Sequence, residues 1–147
     1  MIKYVIMLHV LGATVWTGGH LVLTLGFLPK ALRERDPEPI RFFESRYERV
    51  GIPALLIQVV TGFILAFHSL PSFSSWFAFD NHMSTHIVLK LALLACTLGL
   101  ALHARLRLVP NLAEDNLRYL AGHIIAVTIL SVLFVLVGVG IRTGGLF

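Results

Sequence analysis

Residues 4–28 read YVIMLHVLGATVWTGGHLVLTLGFL, an apolar stretch without Asp, Glu, Lys or Arg. One helix needs about 20 such residues to cross a bilayer. Three further apolar stretches, 50–67, 84–106 and 120–141, have comparable length. The chain of 147 residues is 56% hydrophobic and 14% charged, whereas soluble domains carry about 25% charged residues. We therefore predict an all-α integral membrane four-helix bundle, with residues 1–147 forming a single transmembrane domain.

Basic residues are distributed unevenly between these stretches. Six Lys and Arg lie at 30–49 and three at 105–118, whereas the connection 68–85 contains none. Cytoplasmic loops of membrane proteins accumulate Lys and Arg. The pattern therefore predicts that both termini and the 68–85 loop lie outside, in the periplasm, and that the protein resides in a bacterial inner membrane. A nucleic-acid partner is excluded, since the basic residues flank apolar runs and form no patch interleaved with aromatic residues.

Two of the connections have patterns of their own. After Asp36-Pro37-Glu38-Pro39, apolar residues recur at helical spacing up to Val50. This predicts either a short amphipathic helix on the inner membrane surface or a cytoplasmic extension of the second span, and the sequence leaves both open. In the outer loop, four aromatic residues resemble an interfacial aromatic belt. They are Phe73, Trp76, Phe77 and Phe79.

The first span carries two histidines on one narrow face. At 100° per residue, five of its side chains fall within an arc of about 100°. They are His9, Gly12, Trp16, Gly19 and His20. A histidine in hydrocarbon is costly and usually turns toward a partner, while glycines allow a helix or a flat ligand to approach closely. The alternative interpretation is ordinary helix packing around a hydrogen-bonded histidine.

Histidines and one lysine form two groups at different depths. His9 and His20 are about 16.5 Å apart along a helix, which is too far for both to ligate one metal ion. The outer group is His9, His68, His82, His86 and Lys90, and the inner group is His20, His103 and His123. An intramembrane lysine must reach the surface, lose its proton or find a partner. For Lys90, extension of the side chain to the nearby surface is the simpler alternative.

Haem b suits this pattern better than copper. It needs one or two axial nitrogen ligands and an apolar slot, which four-helix bundles provide between their helices. Copper favours histidines clustered with Met or Cys, but Cys96 is the single cysteine and the three methionines are dispersed. The expected axial ligands are His9 on the outer side and His20, His103 or His123 on the inner side.

Other residues are expected to complete the haem sites. Lys90 would ligate iron or neutralise a haem propionate, and Arg105 or Arg107 would pair with the propionates of an inner haem. Gly12, Trp16 and Gly19 would shape the slot.

Two regions resemble known families. His9-Val10-Leu11-Gly12 with Trp16-Thr17-Gly18-Gly19 resembles the first span of CopD-like membrane proteins and of HemJ, a family of four-helix protoporphyrinogen oxidases. His86-Ile87-Val88-Leu89-Lys90, followed by His103-Ala104-Arg105, resembles the third span of HemJ. The resemblance implies a haem b-binding bundle in which His9 and Lys90 occupy ligand or catalytic positions. His20 stands where HemJ usually has an apolar residue, so we expect a cytochrome b-like protein with a haem toward each face.

These observations support three functional hypotheses. The first is a haem-dependent oxidoreductase or electron-transfer protein, with one or two haems, a quinone, porphyrin or redox protein as partner, and either a single chain or a homo-oligomer. The second is CopD-like copper transport or resistance, with His82, Met83 and His86 as an outer capture site. The third is a helical accessory subunit whose histidines serve only in packing.

Overall fold

The computed structural model describes residues 1–143, the side chain of Arg142 excepted, and it is almost entirely helical. Residues 144–147 of the predicted domain lie outside the described residues. The elements are α1 (Ile2–Val22), a π-helical turn (Leu23–Phe27), α2 (Leu28–Glu34), α3 (Glu38–Ser69), α4 (Phe73–Trp76), α5 (His82–His103), a second π-helical turn (Ala104–Leu108), a 3-10 turn (Glu114–Asn116) and α6 (Leu117–Thr143). The all-α prediction is confirmed.

Within residues 1–143, four continuous helical segments are long and apolar enough to cross a bilayer. They are Ile2–Glu34, Glu38–Ser69, His82–Leu108 and Glu114–Ile141. Each predicted stretch lies inside one of these segments. In chain order, the stretches are 4–28, 50–67, 84–106 and 120–141. The chain is therefore a multi-pass membrane protein with four spans.

The second span continues well beyond the bilayer at its start. At 1.5 Å per residue, the 32 residues of α3 extend about 48 Å, compared with about 30 Å for the hydrocarbon core. Asp36 Oδ1 accepts a hydrogen bond from the backbone N–H of Glu38 at 2.9 Å, which satisfies a donor at the helix start. The helix then runs through Pro53 without a break. The residues after Asp36 are therefore a helical extension of the second span, and the separate amphipathic helix is wrong.

A compact apolar core lies at one end of the bundle. We call this end of the bundle the basic end, because segments 30–49 and 105–118 lie there. The opposite end carries the 68–85 connection, and we call it the loop end. The buried residues of the core are Leu23, Leu28, Ala31, Ile40, Leu108, Leu112, Leu117, Leu120, Ala121 and Ile124. Their burial stabilises the packing of α2, the start of α3 and the start of α6.

Trp76 has a different position at the loop end from the one predicted. Its side chain is 0% exposed, and its ring centroid lies 4.6 Å from that of Phe67 and 5.0 Å from that of Phe73. The indole N–H donates a hydrogen bond to the carbonyl of Leu70 at 2.9 Å. Trp76 is therefore a core residue and not part of an aromatic belt. Phe73, Phe77 and Phe79 are exposed, as a belt requires.

Polar contacts tie the first span to α6 inside the bundle. Thr24 and Thr128 share a hydrogen bond of 2.6 Å between their hydroxyl oxygens. Thr17 donates to the carbonyl of Ser131 at 3.3 Å. Such short polar side chains, bonded to each other or to a backbone carbonyl, contribute to helix packing in lipid.

Candidate functional site

The glycine-lined face of α1 packs against α3. A Cβ atom at Gly12 would lie 3.0 Å from Gln58 Nε2 and 3.1 Å from the carbonyl oxygen of Ala54, and a Cβ atom at Gly19 would overlap the ring of Tyr47. The Tyr47 hydroxyl donates to the carbonyls of α1 residues 15 and 16 at 3.1 Å. The space that was expected to admit a haem is filled by side chains of α3. The glycines act here as helix-packing residues, the alternative interpretation of this face.

His9 is held in a defined tautomer by α3. Its Nδ1 lies 2.8 Å from Thr61 Oγ1, and the single hydroxyl proton of Thr61 is donated to the carbonyl of Ile57. Since Thr61 gives its one hydroxyl proton to a backbone carbonyl, we assign His9 Nδ1–H as the donor to Thr61 Oγ1. Gln58 donates its amide to the backbone carbonyl of His9. His9 thus faces the bundle interior, as predicted.

Lys90 lies in the same layer as His9. It is about 12 Å along α5 from His82, and His9 is about 10.5 Å along α1 from its first residue. A Cβ atom at Gly138 of α6 would lie 3.3 Å from Lys90 Nζ. In the part of the chain that the structure describes, no carboxylate forms an ion pair with Lys90. The pairs His9–Thr61 and Lys90–Gly138 thus bring residues of all four spans to about this depth.

His20 is surrounded by aromatic rings. Its Nδ1 donates to the carbonyl of Trp16 at 2.9 Å, because a carbonyl can only accept. Its ring centroid lies 4.4 Å from that of Trp16 and 5.9 Å from that of Tyr47. Thr128 of α6 donates to the His20 carbonyl at 3.3 Å. His20 is fixed between α1, α3 and α6.

His103 and His123 meet across α5 and α6. His103 Nδ1 lies 2.9 Å from His123 Nε2, and the two rings stack with centroids 5.0 Å apart. Both had been placed with His20 in one inner group. Among the described residues, however, no three His, Cys, Asp or Glu side chains are arranged to hold one metal ion. The structure brings two members of that group together and places His20 among different neighbours.

Two histidines and a methionine lie within five residues at the start of α5. The rings of His82 and His86 have centroids 3.9 Å apart, and His86 Nδ1 donates to the carbonyl of His82 at 2.8 Å. Nε2 of a neutral His86 is therefore unprotonated. Met83 is three residues before His86, so its thioether shares that side of the helix. The set lies at the loop end, and His82 is exposed.

The sequence pattern of a known family, CopD or copper resistance protein D, matches residues 42–141. The chain belongs to the CopD family. No curated protein and no solved structure matches it. The matched part of this CopD chain includes His82, Met83, His86, His103 and His123, whereas His9 and His20 on α1 lie before it.

Two tyrosines of the CopD chain were missed as site residues. Tyr47 is four residues before Gly51, and a Cβ atom at Gly51 would lie 2.7 Å from its ring. This pairing of an aromatic residue with a glycine one turn away could have indicated a helix contact. Tyr119 is four residues before His123, and its backbone carbonyl accepts from His123 Nδ1 at 3.2 Å. The i, i+4 spacing was the available signal.

Proposed function

We propose that this protein handles copper ions in a bacterial inner membrane and contributes to copper resistance by taking up the ion at His82, Met83 and His86. The single observation that carries the proposal is the close His82–His86 pair, with ring centroids 3.9 Å apart, within the part of the chain matched to the copper resistance family. We call His82, Met83 and His86 the capture site.

The ligand types of the capture site suit copper. Imidazole nitrogen binds copper ions well, and a thioether sulfur favours the reduced ion, Cu(I). The hydrogen bond from His86 Nδ1 to the His82 carbonyl fixes the ring and leaves Nε2 available for the ion. A backbone carbonyl that accepts from the other ring nitrogen is the usual support of a metal-binding histidine.

The charge pattern supports an orientation for the proposal. The basic end carries most of the Lys and Arg residues outside the spans, which favours its placement in the cytoplasm. The loop end, with the capture site, would then face the periplasm. Copper from outside the membrane would meet His82 first, because its side chain is exposed.

Haem b does not fit the slot that was expected for it. Gln58 and Tyr47 fill the positions beside Gly12 and Gly19, so a porphyrin ring has no room on that face of α1. We derive no step through haem, and the absorption spectrum of the purified protein serves as a separate check.

The test is copper binding by the purified full-length chain in detergent, with His82→Ala/His86→Ala as the variant. His68→Ala is the matched control, because His68 is another exposed histidine at the loop end. The wild-type chain and the control are expected to bind Cu(I) and Cu(II), and the double variant is expected to lose the ion at the capture site. Cells that rely on the double variant are expected to be copper-sensitive.

Two results would contradict the proposal. One is a chain that retains its full copper content without His82 and His86. The other is a protein isolated with an intense Soret band and no copper, which would restore the haem hypothesis.

A further inference from the structure

The His103–His123 pair lies at the other end of the bundle from the capture site. His103 is the last residue of α5, and His123 is in the second turn of α6. Their facing nitrogens are 2.9 Å apart, although the two residues are 20 positions apart in sequence. The pair therefore depends on the packing of α5 against α6.

The hydrogen bonds define which nitrogens are protonated. Tyr119 presents a carbonyl to His123 Nδ1 at 3.2 Å, so this nitrogen must donate. Nε2 of a neutral His123 then carries a lone pair and accepts from His103 Nδ1. A single proton therefore lies between His103 Nδ1 and His123 Nε2. Each of these nitrogens can bind a metal ion when it is unprotonated.

We propose that His103 Nδ1 and His123 Nε2 bind one copper ion between them, as a second metal site at the basic end. The identity of the ion rests on the proposed function. The proton of His103 moves from Nδ1 to Nε2 when the ion enters, so both rings remain neutral and no net proton is released. The bond from His123 Nδ1 to the Tyr119 carbonyl is retained and holds that ring in its binding orientation.

The distance between the nitrogens permits this binding. Metal–imidazole bonds are about 2.0–2.1 Å, so an ion bonded to both nitrogens at their present separation subtends an angle of about 90°. If the two nitrogens were up to about 4 Å apart, an ion midway between them could still bond to both, with the three atoms in a line. Small side-chain rotations therefore cover the geometries that Cu(II) and Cu(I) prefer.

The surroundings suggest a site at which the ion exchanges. His103 is exposed, and it lines a shallow groove of about 270 Å³ with Gly99, Leu102, Leu106 and Arg107. Among the described residues, no three His, Cys, Asp or Glu side chains are arranged to hold one ion, so the protein ligands proposed for this site are the two imidazoles. An ion bound in this way can pass to a stronger acceptor.

The experiment uses the full-length chain in which His82 and His86 are replaced by Ala, so that the capture site does not contribute. Cu(II) is titrated and followed by electron paramagnetic resonance, in which nitrogen ligands split the copper signal. The expected result is one bound ion with two imidazole nitrogens. Adding His103→Ala or His123→Ala is expected to weaken binding by about tenfold or more and to remove the two-nitrogen splitting.

His20→Ala, added to the same background, is the matched control and is expected to leave the signal unchanged. Size-exclusion profiles of all variants establish that they are folded, and His103→Gln provides a second variant of similar size. Copper affinity that is unchanged in both His103 and His123 variants would overturn the second site. If the capture site fails its own test while this signal is present, the second site stands without the first.

Discussion

The ring of Tyr47 on α3 occupies the space that a side chain at Gly19 on α1 would need. The Tyr47 hydroxyl also donates to the carbonyls of Val15 and Trp16. Steric fit and hydrogen bonding therefore act at the same point, and the two helices interlock there.

Gly19→Ala is expected to destabilise the fold, because the added methyl group overlaps Tyr47 and forces α1 away from α3. The cost should be about 1–3 kcal/mol, typical of overpacking, measured as a change in the free energy of unfolding in detergent. Gly18→Ala is the matched control, since nothing lies within 4 Å of a Cβ atom at that position. Equal stability of the two variants would show that the interlock is absent.

Thr61→Val is expected to remove the acceptor for His9 Nδ1 while preserving the shape of the side chain. Hydrogen bonds between membrane helices contribute about 0.6 kcal/mol on average and up to about 1.7 kcal/mol, so a loss in this range is expected. Thr14→Val is the control, because Thr14 is exposed and bonds only to the carbonyl of Val10 in its own helix. A Thr61→Val variant no less stable than Thr14→Val would argue against the His9–Thr61 bond.

Trp76→Ala is expected to loosen the loop end, because it empties a fully buried aromatic site between α3 and α4. Such truncations cost about 3–5 kcal/mol in soluble cores, and protease cleavage of the 68–85 connection is the measurement that reports it. Phe77→Ala should have little effect, since Phe77 is 48% exposed. Equal cleavage rates for both variants would return Trp76 to an interfacial role.

The sequence predicted the depth of a histidine along its span better than the neighbours that its side chain contacts. Counting residues along the spans placed His103 and His123 at one depth, and they do meet. His20 was expected at the same depth, but its ring lies beside Trp16 of its own helix and Tyr47 of α3. Hydropathy does not reveal which neighbours pack against each face of α1. For the same reason, the glycine face of α1 was predicted without the side chains of α3 that fill it.

Trp76 illustrates a second limit. Composition alone cannot distinguish an aromatic residue that lies at a membrane surface from one that folds back beneath its own loop. The turn at Leu70 decides this, because its carbonyl accepts the indole N–H. For α3, the sequence predicted the helix start at Asp36 to Pro39 but left open whether the helix continues into the second span, as it does in the structure.

The copper content of the full-length chain, purified from cells grown with copper and with ample haem supply, tests the central claim most directly. We predict a protein that contains copper and shows no Soret band, and a loss of about one copper ion per chain when His82 and His86 are both replaced by Ala. A haem spectrum without copper, or a copper content that is the same in the double variant, would contradict the account.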